Sequence, residues 1–470
     1  TSNMEAYSEF LIGRAYAEER SVGWRENAVK ALRRAIELDP GFAPPYAWLA
    51  IATTVMSGMG PQWGEGLELS EKALSLDPEL AMAHAAHGFT VRLVDRERAE
   101  QSLKQAVSLD PSLGFAYNIL EIMLERQGRV EESIAWQEKG LAVDPLNPPL
   151  VMNAALRESS MGNFERAESL LLRLSSLPEP PQDVYSILYY LYEEWGHIDR
   201  AVAMAKEQIR LTASTESTVG LHALATAYGS IGMTAAADYW FEKLGPAKLE
   251  DGNGMMTRFF IMRTRSADSE LATELGRLAN LPSADSEDKL LLAGMINLQL
   301  QNYPKGVEQL EAGMLLASGD EAEPADVIDL SAIQLNPELI ILIANRLANG
   351  YQQVGRSQDA TDLLEKVVDL LDAMEIKKPI AERALVHALN GEFEKSIEEF
   401  SRVVELGWAR YHEAANDPAW AEALSRPEFQ YLLADVKARV DKQRANVESI
   451  EAREDFRSEY EQLIASGGNQ

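Results

Sequence analysis

The sequence predicts an all-α protein, an α-solenoid of about eleven helix-turn-helix units closed by C-terminal capping helices. Three observations predict it. Apolar residues recur at helical spacing through most of the chain. Glycines stand in phase, with Gly128, Gly162 and Gly196 each 34 residues apart and Gly232 a further 36 on. Prolines keep the same beat, as Pro40, Pro78, Pro111, Pro145 and Pro178 follow one another at 38, 33, 34 and 33, and Pro246 comes 68 later, or two units.

The stretch 114–147, GFAYNILEIMLERQGRVEESIAWQEKGLAVDPLN, shows the unit. Ala116, Tyr117, Leu120, Met123 and Leu124 form one apolar stripe, and Val130, Ile134, Trp136 and Leu141 form a second. Gly128 between them suits the left-handed conformation that closes a helix. Pro145 stops the second helix, and Asp144 before it turns the chain into the next. Five residues after the later mid-unit glycines stand Ala167, Ala201 and Ala237, with Ser133 after Gly128. A small side chain there lets the two helices of a pair approach closely.

Units ending near 40, 78, 111, 145, 178, 212, 246 and 282 are continuous. The one over 247–282 is the least regular, with GNG at 252–254. Further units centre on 300–316, where Pro304 falls at the start of the second helix, and on 356–372 and 391–407. The acidic stretch 317–337 interrupts them and reads as a solvated loop, with a partner site as the alternative. The division expected is an array over 1–282, a second array over 283–415 carrying the insert 317–337, and terminal helices over 416–470. In that last part Leu433, Val436, Val440, Val447 and Ile450 form a seam interrupted by polar Gln443, and Phe456, Tyr460 and Leu463 resume on a shifted stripe. It reads as one or two helices capping the array, with a homodimer seam through 430–465 as the rival.

A formal charge of −30 argues against nucleic-acid binding by this chain and against docking on anionic lipid. No apolar run is long enough to insert in a membrane. The absence of Cys removes disulfides, thiolate metal sites and a cysteine nucleophile. The chain does not begin with Met, so a longer parent or a processed product is expected. His84 and His87 share a helix face but lie among Ala81, Ala83 and Ala86, as packing histidines rather than metal ligands. Arg14, Arg20, Arg33 and Arg34 read as solvated helix faces. Glu131–Glu132 and Glu193–Glu194 follow charged faces, and no catalytic motif is present. The expectation is no enzyme, no cofactor and no metal.

A period of 34 with these marks resembles the tetratricopeptide repeat family. The resemblance implies a right-handed superhelix whose concave face is lined by the first helix of each pair. Helical phase then projects Phe115, Asn118, Ile122, Glu125 and Arg126 inward, then Asp183, Ser186, Tyr190, Glu193 and Glu194, then His222 and Thr226. Such a groove suits a protein or peptide, and Tyr190, Glu193 and Glu194 suit a basic or aromatic-bearing one. The lysine and asparagine pattern by which some members grip a C-terminal carboxylate is absent; only Asn118 and Asn153 stand near such places.

AYSEFLIGR at the start, AIELDPGFAPPYAWLA after it, and DPAWAEALSRPEFQYLLADV near the end resemble the repeat regions of bacterial signalling proteins. Those regions follow a winged-helix DNA-binding domain or a nucleotide-cyclase domain. The resemblance implies the partner-binding or sensory portion of a regulator, periplasmic if membrane-anchored and otherwise cytoplasmic. A small-ligand sensor controlling an attached domain, and a structural scaffold, are the alternative readings.

Overall fold

The computed structural model describes residues 1–19, 24–57, 63–213, 217–245, 252–265, 268–279, 286–318, 328, 330, 333, 335–374 and 378–467. Among them every regular element is helical. Eleven antiparallel helix pairs follow one another among these residues, from Met4–Glu19 with Trp24–Leu38 to Ala381–Leu389 with Phe393–Glu405. The irregular stretch 247–282 supplies an ordinary pair, Gly252–Arg263 with Asp268–Ala279. Pro304 occupies the second position of helix Tyr303–Ser318, where a missing N–H costs nothing.

The punctuation is turn chemistry. Gly128, Gly162, Gly196, Gly232, Gly355 and Gly391 all take positive φ, between 72° and 81°. The turn after Gly128 then lets the Arg129 N–H reach back to the Leu124 carbonyl at 3.0 Å, which satisfies a carbonyl the helix end leaves open. The Asp-Pro pairs make the other turn. The carbonyl of Asp110 accepts the Leu113 N–H at 3.1 Å, and its carboxylate accepts the Ser112 N–H at 2.9 Å. Asp39, Asp77 and Asp144 repeat that arrangement. Ala167, Ala201 and Ala237 are fully buried, and Ser133 turns its hydroxyl onto the Glu121 carbonyl at 3.0 Å.

The chain forms two compact units, Thr1–Ala154 and Ala155–Gln470. The core of the first is small-residue rich: Ala47, Ala50, Ala86 and Ala99 pack with Leu103, Phe89 and Leu120. Such residues let helix axes come close at the cost of little side-chain entropy.

In the second unit the chain returns on itself. Helices Pro427–Glu451 and Phe456–Gly467 lie against helices Ile198–Thr212 and Thr234–Glu242, more than two hundred residues earlier. Val436, Val440, Val447, Phe456 and Tyr460 are all buried there. Trp240 meets the rings of Phe456 and Tyr460 at 5.4 and 5.3 Å. Polar Gln443 in the seam has its reason: its amide donates to the Gly196 carbonyl and accepts the Ile198 N–H, each at 2.6 Å. The seam that could pair two copies is thus covered by the chain's own earlier repeats. Of the acidic stretch 317–337, residues 319–327, 329, 331, 332 and 334 lie outside the described residues; Leu330 and Ile333 are buried.

Candidate docking surface on the first helices

In the first unit, helices Ala81–Val91 and Gly114–Glu125 are the first members of successive pairs. They place Phe115 against Phe89, ring centroids 5.7 Å apart and tilted. Asn118 is nearly buried, and its side-chain oxygen accepts from the Asn153 amide at 2.9 Å. The same amide donates to the Glu121 carboxylate at 3.1 Å, which also accepts from Gln137 at 3.0 Å. Asn118 and Asn153 therefore brace neighbouring helices. Ile122 is partly buried, and Glu125 and Arg126 end the helix exposed. Among the described residues neither Glu125 nor Arg126 forms an ion pair.

One repeat earlier, Arg92 occupies the place that Arg126 holds, directly after its helix. Its guanidinium lies 3.7 Å from the Phe89 ring centroid and donates to the Phe89 carbonyl. Burial lowers its pKa to about 10, and the like charge of Arg126 adds to the effect. The reading of the sequence missed Arg92 and Phe89, although the 34-residue spacing to Arg126 is visible in it. It also missed Glu121, because a carboxylate on an apolar face carries no pattern that separates it from an exposed one.

In the second unit, Asp183 is exposed, and its carbonyl accepts the Ser186 hydroxyl at 2.8 Å. The Ser186 N–H donates to Gln208 at 3.1 Å. Tyr190 is 58% exposed and lies edge-on to Tyr189. His222 shares a 2.7 Å hydrogen bond with Thr257, and Thr226 beside it is partly buried. Glu193 and Glu194 face basic groups of this same chain. Glu193 meets Arg410 at 3.0 Å; Glu194 pairs with Lys378 and accepts the Ser159 hydroxyl at 2.6 Å. The Glu193 carboxylate holds the Arg410 guanidinium firmly protonated.

Arg410 belongs to a longer clasp. Arg263 pairs with Glu413 at 2.9 Å, and Arg346 pairs with Asp417 at 2.7 Å and with Glu382. The Asn416 amide donates to the Thr264 carbonyl at 2.9 Å. Glu193, Arg263, Arg346 and Glu382 all stand on first helices. Most of these partners are buried, so each ion pair is one whose loss would strand a charge. A Cβ on Gly196 would overlap the Gly407 carbonyl oxygen, so the two backbones touch where the segment enters.

Among the described residues no group of three His, Asp or Glu could hold a metal ion. His87 is buried, with its ring bonded to Ser102 at 2.8 Å, and burial lowers its pKa. Among the described residues no helix is long and apolar enough to cross a membrane.

Comparison with known proteins agrees with the repeat geometry. The tetratricopeptide repeat family profile matches residues 10–42. A small glutamine-rich tetratricopeptide repeat-containing protein 2 of Mycosarcoma maydis is 29% identical over 103 residues, 22% of this chain. The chain spans 29% of that relative's length. A thermophilic tetratricopeptide repeat protein of Thermus thermophilus superposes with a TM-score of 0.33 at 19% identity, over 39% of this chain and 98% of the other. PilF of Pseudomonas aeruginosa superposes with a TM-score of 0.33 at 21% identity, over 44% of this chain and 92% of the other. The chain thus carries a tetratricopeptide repeat over residues 10–42, and repeats of this kind make a protein-interaction module.

Proposed function

We propose that this tetratricopeptide repeat chain is a non-enzymatic array that binds a protein or peptide along its first helices. One observation carries the reading. In the second unit the first-helix side chains Glu193, Arg263 and Arg346 already clasp a polypeptide segment, Arg410–Asp417, with Glu382 bracing Arg346. The corresponding row in the first unit offers Phe115, Ile122, Glu125 and Arg126 with no such segment among the described residues across it. Phe115 and Ile122 supply apolar anchor and the charged ends supply register, the usual division of labour at an interface. In the second unit Asp183, Ser186, Tyr190, His222 and Thr226 extend the candidate surface, and Glu193 and Glu194 serve the chain's own Arg410 and Lys378. A place within a bacterial regulator is supported by the terminal sequence resemblances, and the compartment follows that of the parent protein.

Phage-displayed peptides selected on the full chain test the reading. Selected peptides should lose about tenfold or more in affinity on Phe115→Ala combined with Ile122→Glu. Peptides that bind the parent and this variant equally would place the docking surface elsewhere.

A small-ligand sensor is favoured by one separate feature. A cavity of about 270 Å³ in the second unit is lined by Arg265, Gln299, Gln301, Asn416 and Asp417. Gln301 has φ 59°, at a hairpin position where other repeats carry glycine. Backbone strain kept beside a polar cavity is a mark of sites under functional constraint. Thermal shifts with small polar metabolites, present in the parent and lost in Gln301→Gly, would support a sensor; a shift retained in the variant would remove this cavity from the account.

A further inference from the structure

We infer that the first unit docks an acidic peptide segment of a partner protein, one of whose carboxylates is held between Arg92 and Arg126. The inference rests on the peptide-binding reading above and gives its partner a chemistry.

The argument is one of charge balance. The chain carries −30, and its arginines are normally met by carboxylates. In the first unit Arg33 pairs with Glu65, Arg34 with Glu5 and Glu37, Arg98 with Glu71, and Arg129 with Glu100 and Glu132. Arg25, Arg92, Arg96 and Arg126 depart from that rule, and Arg92 and Arg126 are the two that stand at equivalent ends of successive first helices. Among the described residues neither has a carboxylate partner, and the charge acting on Arg92 is the like charge of Arg126. Two guanidinium groups brought together, one of them partly buried, repel each other across a medium that screens poorly. A helix C-terminal carbonyl and an aromatic face lessen the cost to Arg92 but supply no counter-charge. An anion between them would remove the repulsion, and planar forks suit a carboxylate.

The surroundings say what carries that carboxylate. Phe89 and Phe115 make an apolar step beside the pair, and Leu93 and Val94, directly after Arg92, are 42% and 57% exposed. A small inorganic anion would leave that surface wet. A peptide with acidic residues among large apolar ones covers both parts. Because the two arginines repeat at the 34-residue period, an extended peptide crossing successive first helices meets them in turn.

The test uses fluorescein-labelled peptide pools in three compositions on the full chain, read by fluorescence anisotropy. Each pool mixes Leu and Phe with one polar class: Asp and Glu, Asn and Gln, or Lys and Arg. The acidic pool should bind tightest, weaken with salt, and lose about a hundredfold on R92Q/R126Q. R92K/R126K should retain part of the binding, which separates lost charge from lost fold. Equal binding of the acidic pool to the parent and R92Q/R126Q overturns the inference, as does an amide pool that binds as well as the acidic one. A basic pool that binds tightest and weakens on F115A overturns the inference while leaving the peptide-binding reading in place. Failure of every pool to respond to F115A overturns both.

Discussion

Replacing Glu451 with alanine should release the terminal helices from the second unit. Lys206 is only 3% exposed, and its ammonium meets Glu451 at 2.5 Å. The other carboxylate in reach is Glu454, more exposed and 3.9 Å away. The Tyr228 hydroxyl also donates to Glu451, at 2.7 Å. Removing one member of a buried ion pair costs about 3 kcal/mol, because the remaining charge stays buried. The orphaned tyrosine hydroxyl adds about 1 kcal/mol. Partial exposure of Glu451 and the nearby Glu454 pull the total back toward about 3 kcal/mol. At about 1.4 kcal/mol per decade, protection should fall about a hundredfold. Native-state hydrogen exchange of the full chain reads this directly, in fragments from 427–467 and 198–212. Glu448→Ala is the control: it breaks an exposed pair with Arg444 and should cost under about 0.5 kcal/mol. Lys206→Met with Glu451→Leu should recover most of the loss, since no buried charge remains. Protection unchanged in Glu451→Ala, or a double variant no better than the single, would refute the buried-charge account.

Two further expectations concern stability. Glu100, hydrogen-bonded by Arg129 and Lys104, has its carboxyl lowered from 4.5 to about 2. A depressed folded-state value stabilises above the unfolded value and is lost as pH falls through the folded one. Glu100→Gln should therefore cost about 1–2 kcal/mol near neutrality, and its deficit in urea midpoint should shrink as pH falls from about 5 to about 2; a deficit independent of pH would exclude the linkage. Gly196→Ala should destabilise by more than Gly128→Ala, although both residues have positive φ. The first meets the Gly407 carbonyl and the second meets open space, so Gly128→Ala should show only the left-handed penalty of about 1–2 kcal/mol in thermal unfolding; equal losses would mean Gly407 yields freely.

The parts of this fold that were legible are those enforced within one turn of chain. Asp-Pro and the mid-unit glycines act through bonds to residues three to five positions away, so their spacing exposes the repeat without any tertiary knowledge. Ala201 and Ala237 follow from that spacing, because a fixed turn fixes which residue lies between the helices. Side chains on the first helices are a harder case. Helical phase assigns Glu193 to one face of its helix but cannot say what meets it, and the partner Arg410 is 217 residues away. The acidic pair that would suit a basic partner is met by basic groups of the chain itself. The same blindness governs the terminal seam. A single polar residue among valines is the device that sets register when two helices pair, so Gln443 suits a dimer as well as a cap. What separates the two is that its amide satisfies the Gly196 carbonyl and the Ile198 N–H, backbone groups whose chemistry is common to every residue and therefore invisible as sequence. Closure of the second unit thus depends on turn glycines for two different reasons, one local and periodic, the other distant. The periodic reason explains all of the mid-unit glycines, while the distant one singles out Gly196.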